Sequence, residues 1–233
     1  MSAAHVQSAT PVTDIDPGPT GPPITLSGVV AGNEIVVWGS WGTSDATPTC
    51  ADDKGNPYSS AQGKTWDGTN TQGLCGFAGK ATTGGTVVIT VSWTGSKAYR
   101  TVFAEEKSGI DTTTDIDCVS VGQAQPNPGT GDDGLSSTAF TTVTANALIC
   151  ACSANIASAA IPDVGLVGVS RSSSSAGVAM RSEDWDAGAA GSKTSNFTAG
   201  IDDRHLTAQM ALRPAAGAPA QHDPFVTVLF KAA

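Results

Sequence analysis

The amino-acid sequence predicts an all-β protein, an antiparallel β-sandwich made as one pair of layered sheets. Three observations carry that prediction: apolar residues recur with period two and not 3.6, turn signals separate the runs, and the composition disfavours long helices. Of 233 residues only 14% are charged, against a usual ~25%, while 27 are Gly and 13 are Pro. That mixture suits short strands joined by many turns.

The first 23 residues contain Asp14-Ile15-Asp16-Pro17-Gly18-Pro19 and Pro22-Pro23, which sustain neither a helix nor a central strand. Residues 1–23 are therefore expected to be an extended leader, lying over the body or reaching out to a neighbour. Residues 24–214 form the sandwich domain. Asn33 to Trp41 is apolar on both faces at its centre, as a strand buried inside a sandwich is. From Thr86 to Trp93, Val87, Ile89, Val91 and Trp93 point one way and Thr86, Thr90 and Ser92 the other. Tyr99 to Glu106 alternates in the same manner, and Ala147 to Ala154 places Leu148, Cys150 and Cys152 together. Strands are also predicted at Val164–Val169 and Gly177–Arg181. The last strand of the domain, His205–Arg213, sets Leu206, Ala208, Met210 and Leu212 on one face against His205, Thr207 and Gln209 on a polar one. Asp53-Lys54-Gly55-Asn56, Thr83-Gly84-Gly85 and Thr94-Gly95-Ser96 are turns.

Residues 215–233 are a linker followed by a strand. Phe225, Val226, Val228, Leu229 and Phe230 make a ribbon apolar on both faces, which left bare would aggregate. It must be paired, either with its own sheet or with a neighbouring subunit by strand addition. These five residues are the candidate subunit anchor.

A net charge of −9 repels phosphate backbones, so nucleic acid is an unfavourable partner. No apolar stretch approaches the ~20 residues of a membrane span. The start, Met1 to Gln7, lacks the basic and apolar regions of a signal peptide. It fits either a chain used without conventional secretion or one whose signal was removed before a Met was added.

The five cysteines include no Cys-x-x-Cys pair. Cys118, Cys150 and Cys152 read as small buried hydrophobes. Cys50 and Cys75 bracket a polar, Gly-rich stretch and are candidates for a disulfide across it; the odd cysteine leaves room for a bridge between subunits.

Catalytic constellations are not recognisable. No Gly-x-Ser-x-Gly elbow, His-Glu-x-x-His or Walker loop occurs, and His205 reads as a surface strand residue. Glu105 and Glu106 end a strand and point to opposite faces, so they cannot flank a scissile bond as a glycosidase pair. Doubled acids such as Asp52-Asp53, Asp132-Asp133 and Asp202-Asp203 offer Ca²⁺-type oxygens without EF-hand spacing. No catalytic, cofactor or metal residues are assigned, and no enzyme activity is expected. Trp38 and Trp93 read as core. Trp66, with Asp67 and Asn70, and Trp185, between Asp184 and Asp186, sit among polar residues. Each fits either a loop that stacks on a sugar ring or contacts a partner, or a ring folded back over a sheet edge.

Several segments in order resemble jelly-roll modules of bacteriophage structural proteins and bacterial extracellular proteins. They are Val6-Gln7-Ser8, Val30 to Trp38, Asp53 to Tyr58, Gly84 to Ser92, Ala104 to Asp111 and Met210-Ala211-Leu212-Arg213-Pro214, spanning roughly residues 6–214. The resemblance implies a jelly-roll topology and brings no catalytic residues with it. It makes the tail, Cys50, Cys75 and the long loop 123–134 additions to the shared pattern. With the tail, it points to a virion structural protein: a capsid decoration, collar or tail accessory subunit. Other virion proteins and further copies of the chain would be its partners, and leader and tail its anchors. The alternative is a carbohydrate-binding module of a phage fibre or a bacterial extracellular protein, with a host-surface glycan as ligand.

Overall fold

The computed structural model describes residues 3–59, 62–67, 72–113, 115–119, 123–125, 134–136, 139–155, 161, 168–174, 178–198 and 205–216. Every regular element among them is a β-strand, and every pairing is antiparallel.

The expected pair of sheets is a stack of three. The central sheet runs from β1 (Ala4–Ser8) and β2 (Val12–Asp14) through β10 (Arg100–Ser108), β5 (Glu34–Gly42) and β8 (Gln72–Lys80) to β7 (Gln62–Asp67). The front sheet is built on the long β9 (Gly85–Lys97). On one side of it run β3 (Gly18–Thr20) and β4 (Ile24–Val29), and on the other β6 (Pro48–Asp52). The back sheet sets β15 (Leu148–Asn155) between β20 (His205–Leu212) and β17 (Ala179–Asp186). Its edges are β16 (Val169–Ser174) on β17, and β11 (Ile116–Val119) and β12 (Gln123–Gln125) on β20.

Period two explains why the central sheet has no wet face. Ile35, Val37, Trp41, Phe77 and Val102 pack forward against Leu26, Val87, Ile89 and Val91. Their neighbours Val36, Trp38, Leu74 and Phe103 pack backward against Cys150, Cys152, Met180, Ala208 and Met210. A strand apolar on both faces is what the sequence showed at Asn33–Trp41.

The strand β8 was hidden by its glycines, and Cys75, expected to close a Gly-rich loop, lies within it. Gly73 pairs with Trp41 and Gly76 with Trp38 across the β5–β8 ladder. A Cβ on Gly73 would collide with the Trp41 ring, and one on Gly76 with both Trp38 and the Met210 methyl. These glycines leave room for indoles that lie over them.

The leader lies on the body. Residues 4–14 run along the edge of β10, and the chain then crosses to the front sheet, where residues 18–29 run along β9. Arg100 fastens the crossing: its guanidinium donates to Asp14 Oδ2 (2.6 Å), to the Asp16 carbonyl (2.5 Å) and to the Thr20 carbonyl.

The outer face of the back sheet, expected to be polar and wet, is covered. Two small two-stranded pairs between segments distant in sequence, β13 (Gly134–Ser136) with β19 (Asn196–Thr198) and β14 (Phe140–Thr142) with β18 (Gly191–Lys193), accompany this covering. Phe140 packs with Ile149 and Ala211, and Phe197 with Ala151 and Ile161. His205 is consequently buried beside Asn155 (3.2 Å), not displayed on the surface. Gln209, on the same face, accepts from the buried Ser195 hydroxyl at 2.5 Å.

Candidate functional site

The main concentration of charge among the described interior residues lies between the central and back sheets. On β10, Phe103, Glu105 and Lys107 share the face turned to the back sheet, while Glu106 faces forward. Lys107 Nζ reaches Glu105 Oε2 at 2.7 Å, Asp184 Oδ2 on β17 at 2.5 Å and His5 Nδ1 on β1 at 3.1 Å. Ser182 donates its hydroxyl to Glu105 Oε1. Arg171 on β16 reaches Asp184 Oδ1 through Nε at 2.7 Å and Nη2 at 2.6 Å. Glu105, Lys107 and Asp184 are at most 1% exposed.

Two cations face two carboxylates, so the cluster carries no net charge when His5 is neutral. Burial, helped by Lys107 and Arg171, pulls His5 down to about 4. Its ring is therefore an acceptor for Lys107 at neutral pH, and its 3.7 Å approach to Asp184 is not an ion pair there. Burial works against the charge on Lys107, but the Glu105 and Asp184 carboxylates outweigh it and hold the ammonium above its ordinary range. Burial likewise opposes the Asp184 charge, and Lys107 with Arg171 overcomes it, holding this carboxyl below the usual range.

His5, Glu105 and Asp184 offer one ligand atom each, all within 4.8 Å of one another. That geometry could hold a metal ion, but the ammonium of Lys107 already takes all three acceptors. The donor set is spent on a resident cation supplied by the chain, and it does not fit a second one.

A second group lies at the start of β5. Glu34 is fully buried, with Lys80 Nζ at 3.3 Å from Oε2 in a direction that makes no hydrogen bond. Burial, with Asp115 nearby, pushes its carboxyl up to about 7. Glu106 is better served: its oxygens accept from Gln7 Nε2 (2.6 Å), the Val30 amide (2.8 Å) and Asn33 Nδ2 (2.6 Å). Glu105 and Glu106 are thus divided between the two faces of the sheet, as their spacing predicts. Asp52 caps the turn after β6, accepting from the Lys54 and Asn56 amides, Asn56 Nδ2 and the Tyr58 hydroxyl.

Among the described residues, those singled out in sequence do not converge. Trp185 is on strand β17 and not in a loop, half-buried against Ile149 and Phe197 on the covered back face. Trp66 and Asp67 end strand β7 at the edge of the central sheet, again not in a loop, and their side chains lie outside the described residues, as does Asn70. Cys50 and Cys75 lie on different sheets, both packed into the front core, and are not joined in a disulfide. Cys150 and Cys152 are fully buried, as expected. Phe225 to Phe230 lie outside the described residues. Sequence reasoning missed the ionic cluster because it left His5 in the leader and Asp184 in a loop; the available signal was Glu105-x-Lys107, two opposite charges on one face of an otherwise apolar strand.

No family model, curated protein or solved structure matches this chain. What fold and site define is a class: a layered, antiparallel all-β protein with an ionic cluster buried between two of its sheets.

Proposed function

We propose that the chain is a non-enzymatic structural subunit of a bacteriophage particle, a capsid decoration, collar or tail accessory protein, attached by its C-terminal ribbon. The observation that supports this reading is that the last described strand, β20, has no free edge. Both sides of β20 are occupied, by β15 and by β11 with β12, and Pro214 is bridged to Ile110. The apolar sequence Phe225–Phe230 still follows, and a partner's open sheet edge is the surface that matches it. The resemblance of the ordered segments to jelly-roll modules of phage structural proteins supports a place on a particle. A charge of −9 keeps an abundant subunit soluble. The leader, committed to β10 and β9, is not assigned an anchoring role.

Removal of residues 217–233 tests this. The shortened chain should keep the melting temperature of the full chain and lose both self-association in sedimentation and incorporation into particles seen by gold labelling. Unfolding of the shortened chain would instead place the ribbon in its own body.

The position of Trp66 at an edge strand keeps a second reading in play, glycan binding. Trp66→Ala should then abolish retention on a glycan array with the melting temperature unchanged; an array empty for the parent chain removes this reading.

A further inference from the structure

The contacts of Lys107 place a nucleophile, an electrophile and a proton carrier together. The amine nitrogen lies 2.5 Å from Asp184 Oδ2 and 2.7 Å from Glu105 Oε2. Lys107 and Asp184 come from strands 77 residues apart in sequence, on two different sheets. Phe103, Met180 and Cys150 belong to the apolar cluster between those sheets, so water is kept from the reacting atoms. Arg171 grips the other oxygen of Asp184 with two N–H groups. We infer that Lys107 and Asp184 condense into a side-chain amide, a covalent staple between the central and back sheets.

The reaction balances within the cluster. Glu105 takes one proton from the Lys107 ammonium, and the freed lone pair attacks Cγ of Asp184. Charge gathering on Oδ1 is held by the Arg171 Nε and Nη2 groups. Oδ2 receives two protons, one returned by Glu105 and one from the attacking nitrogen. The Cγ–Oδ2 bond then breaks, water departs and Oδ1 becomes the amide carbonyl. Of the three ammonium protons, two leave in the water and one stays on the amide nitrogen. Glu105 ends as it began, a carboxylate balanced by Arg171. No oxidant, cofactor or second molecule takes part. The ion pair is the starting state, and its mutual stabilisation is the barrier. Fixed contact lowers that barrier by removing the entropy of encounter, and the reaction replaces two buried charges with a neutral amide.

Intact mass spectrometry of the purified full chain under denaturing conditions is the test. The expected mass is one water below that of the sequence. Trypsin should leave Lys107 uncut and release residues 101–171 joined to residues 182–193. Lys107→Arg and Glu105→Gln should each restore the mass of their own sequence, with circular dichroism reporting whether the β-fold is kept. A full-length chain at its sequence mass overturns the inference whatever the variants do. Loss of water with the two peptides recovered separately overturns the staple between sheets, and a Glu105→Gln chain that still links overturns the part given to Glu105.

Discussion

The two faces of the central sheet solve the same burial problem with different chemistry. The front interface is apolar throughout its middle, with Ile35, Val37 and Phe77 against Val87, Ile89 and Val91, and Trp41 tilted onto Trp93 at 6.1 Å. The back interface has a comparable apolar cluster but interrupts it with Glu105, Lys107, Asp184 and Arg171. Hydrophobic burial stabilises either interface at roughly 25 cal/mol per Å² of apolar surface and tolerates small slips. Matched ions lose hydration and gain one acceptable alignment. The front interface thus supplies adhesion, and the back one adds a fixed register between β10 and β17.

The contrast can be broken most forcefully at Lys107. Measured against a Lys107→Arg chain, which keeps a cation there and cannot form the staple, Lys107→Met strands two buried carboxylates and should cost about 3–5 kcal/mol in urea unfolding; replacing Glu105 and Asp184 with apolar residues in the Lys107→Met chain should recover much of it. A loss below about 1 kcal/mol would equate the two interfaces. In the front interface, Ile89→Ala should cost about 2–4 kcal/mol through transfer and cavity terms, with the same value at every pH from 5 to 8.

The smallest effect sharpens the role of buried charge at Glu34. Its folded carboxyl is raised from 4.5 to about 7 by burial first, then Asp115. The folded state therefore holds this proton more tightly than the unfolded state. The corresponding stability is full below pH ~4.5 and falls as pH rises toward about 7. Glu34→Gln should then raise stability at pH 8 by about 1–3 kcal/mol and change little at pH 4.5. Melting temperatures of both chains across that range decide it; a variant less stable at pH 8 would show that Lys80 outweighs the burial.

Alternation made β5, β9, β15 and β20 legible in the sequence, because each has at least one uninterrupted apolar face, and β10 was legible from the alternation at its centre, Val102, Phe103 and Ala104. Strand β8 escaped because Gly73, Gly76 and Gly79 carry no side chain to alternate; what they contribute is clearance for Trp41, Trp38 and Tyr58. Strand β17 extends past the predicted Arg181 to Asp186 because Glu183 and Asp184 find partners, Gly168 for one and Lys107 with Arg171 for the other. A charge paired in space with a residue far along the chain reads locally as a loop. The covering of the back sheet was illegible for a related reason: His205, Thr207 and Gln209 look solvent-facing until the segment carrying Ser195 and Phe197 folds over them.

The way β1 to β4 edge two sheets sets an order on folding. Gln7 meets Glu106 across 99 positions of sequence, so β1 to β4 have no docking site until β9 and β10, later in the chain, have been made. Such high contact order slows folding, and the nascent segment that carries β1 to β4 must wait without sticking to other chains. Its prolines and its Asp14 and Asp16 suit that waiting period, since they discourage premature strand pairing, and Arg100 then ends it by locking the crossing in place.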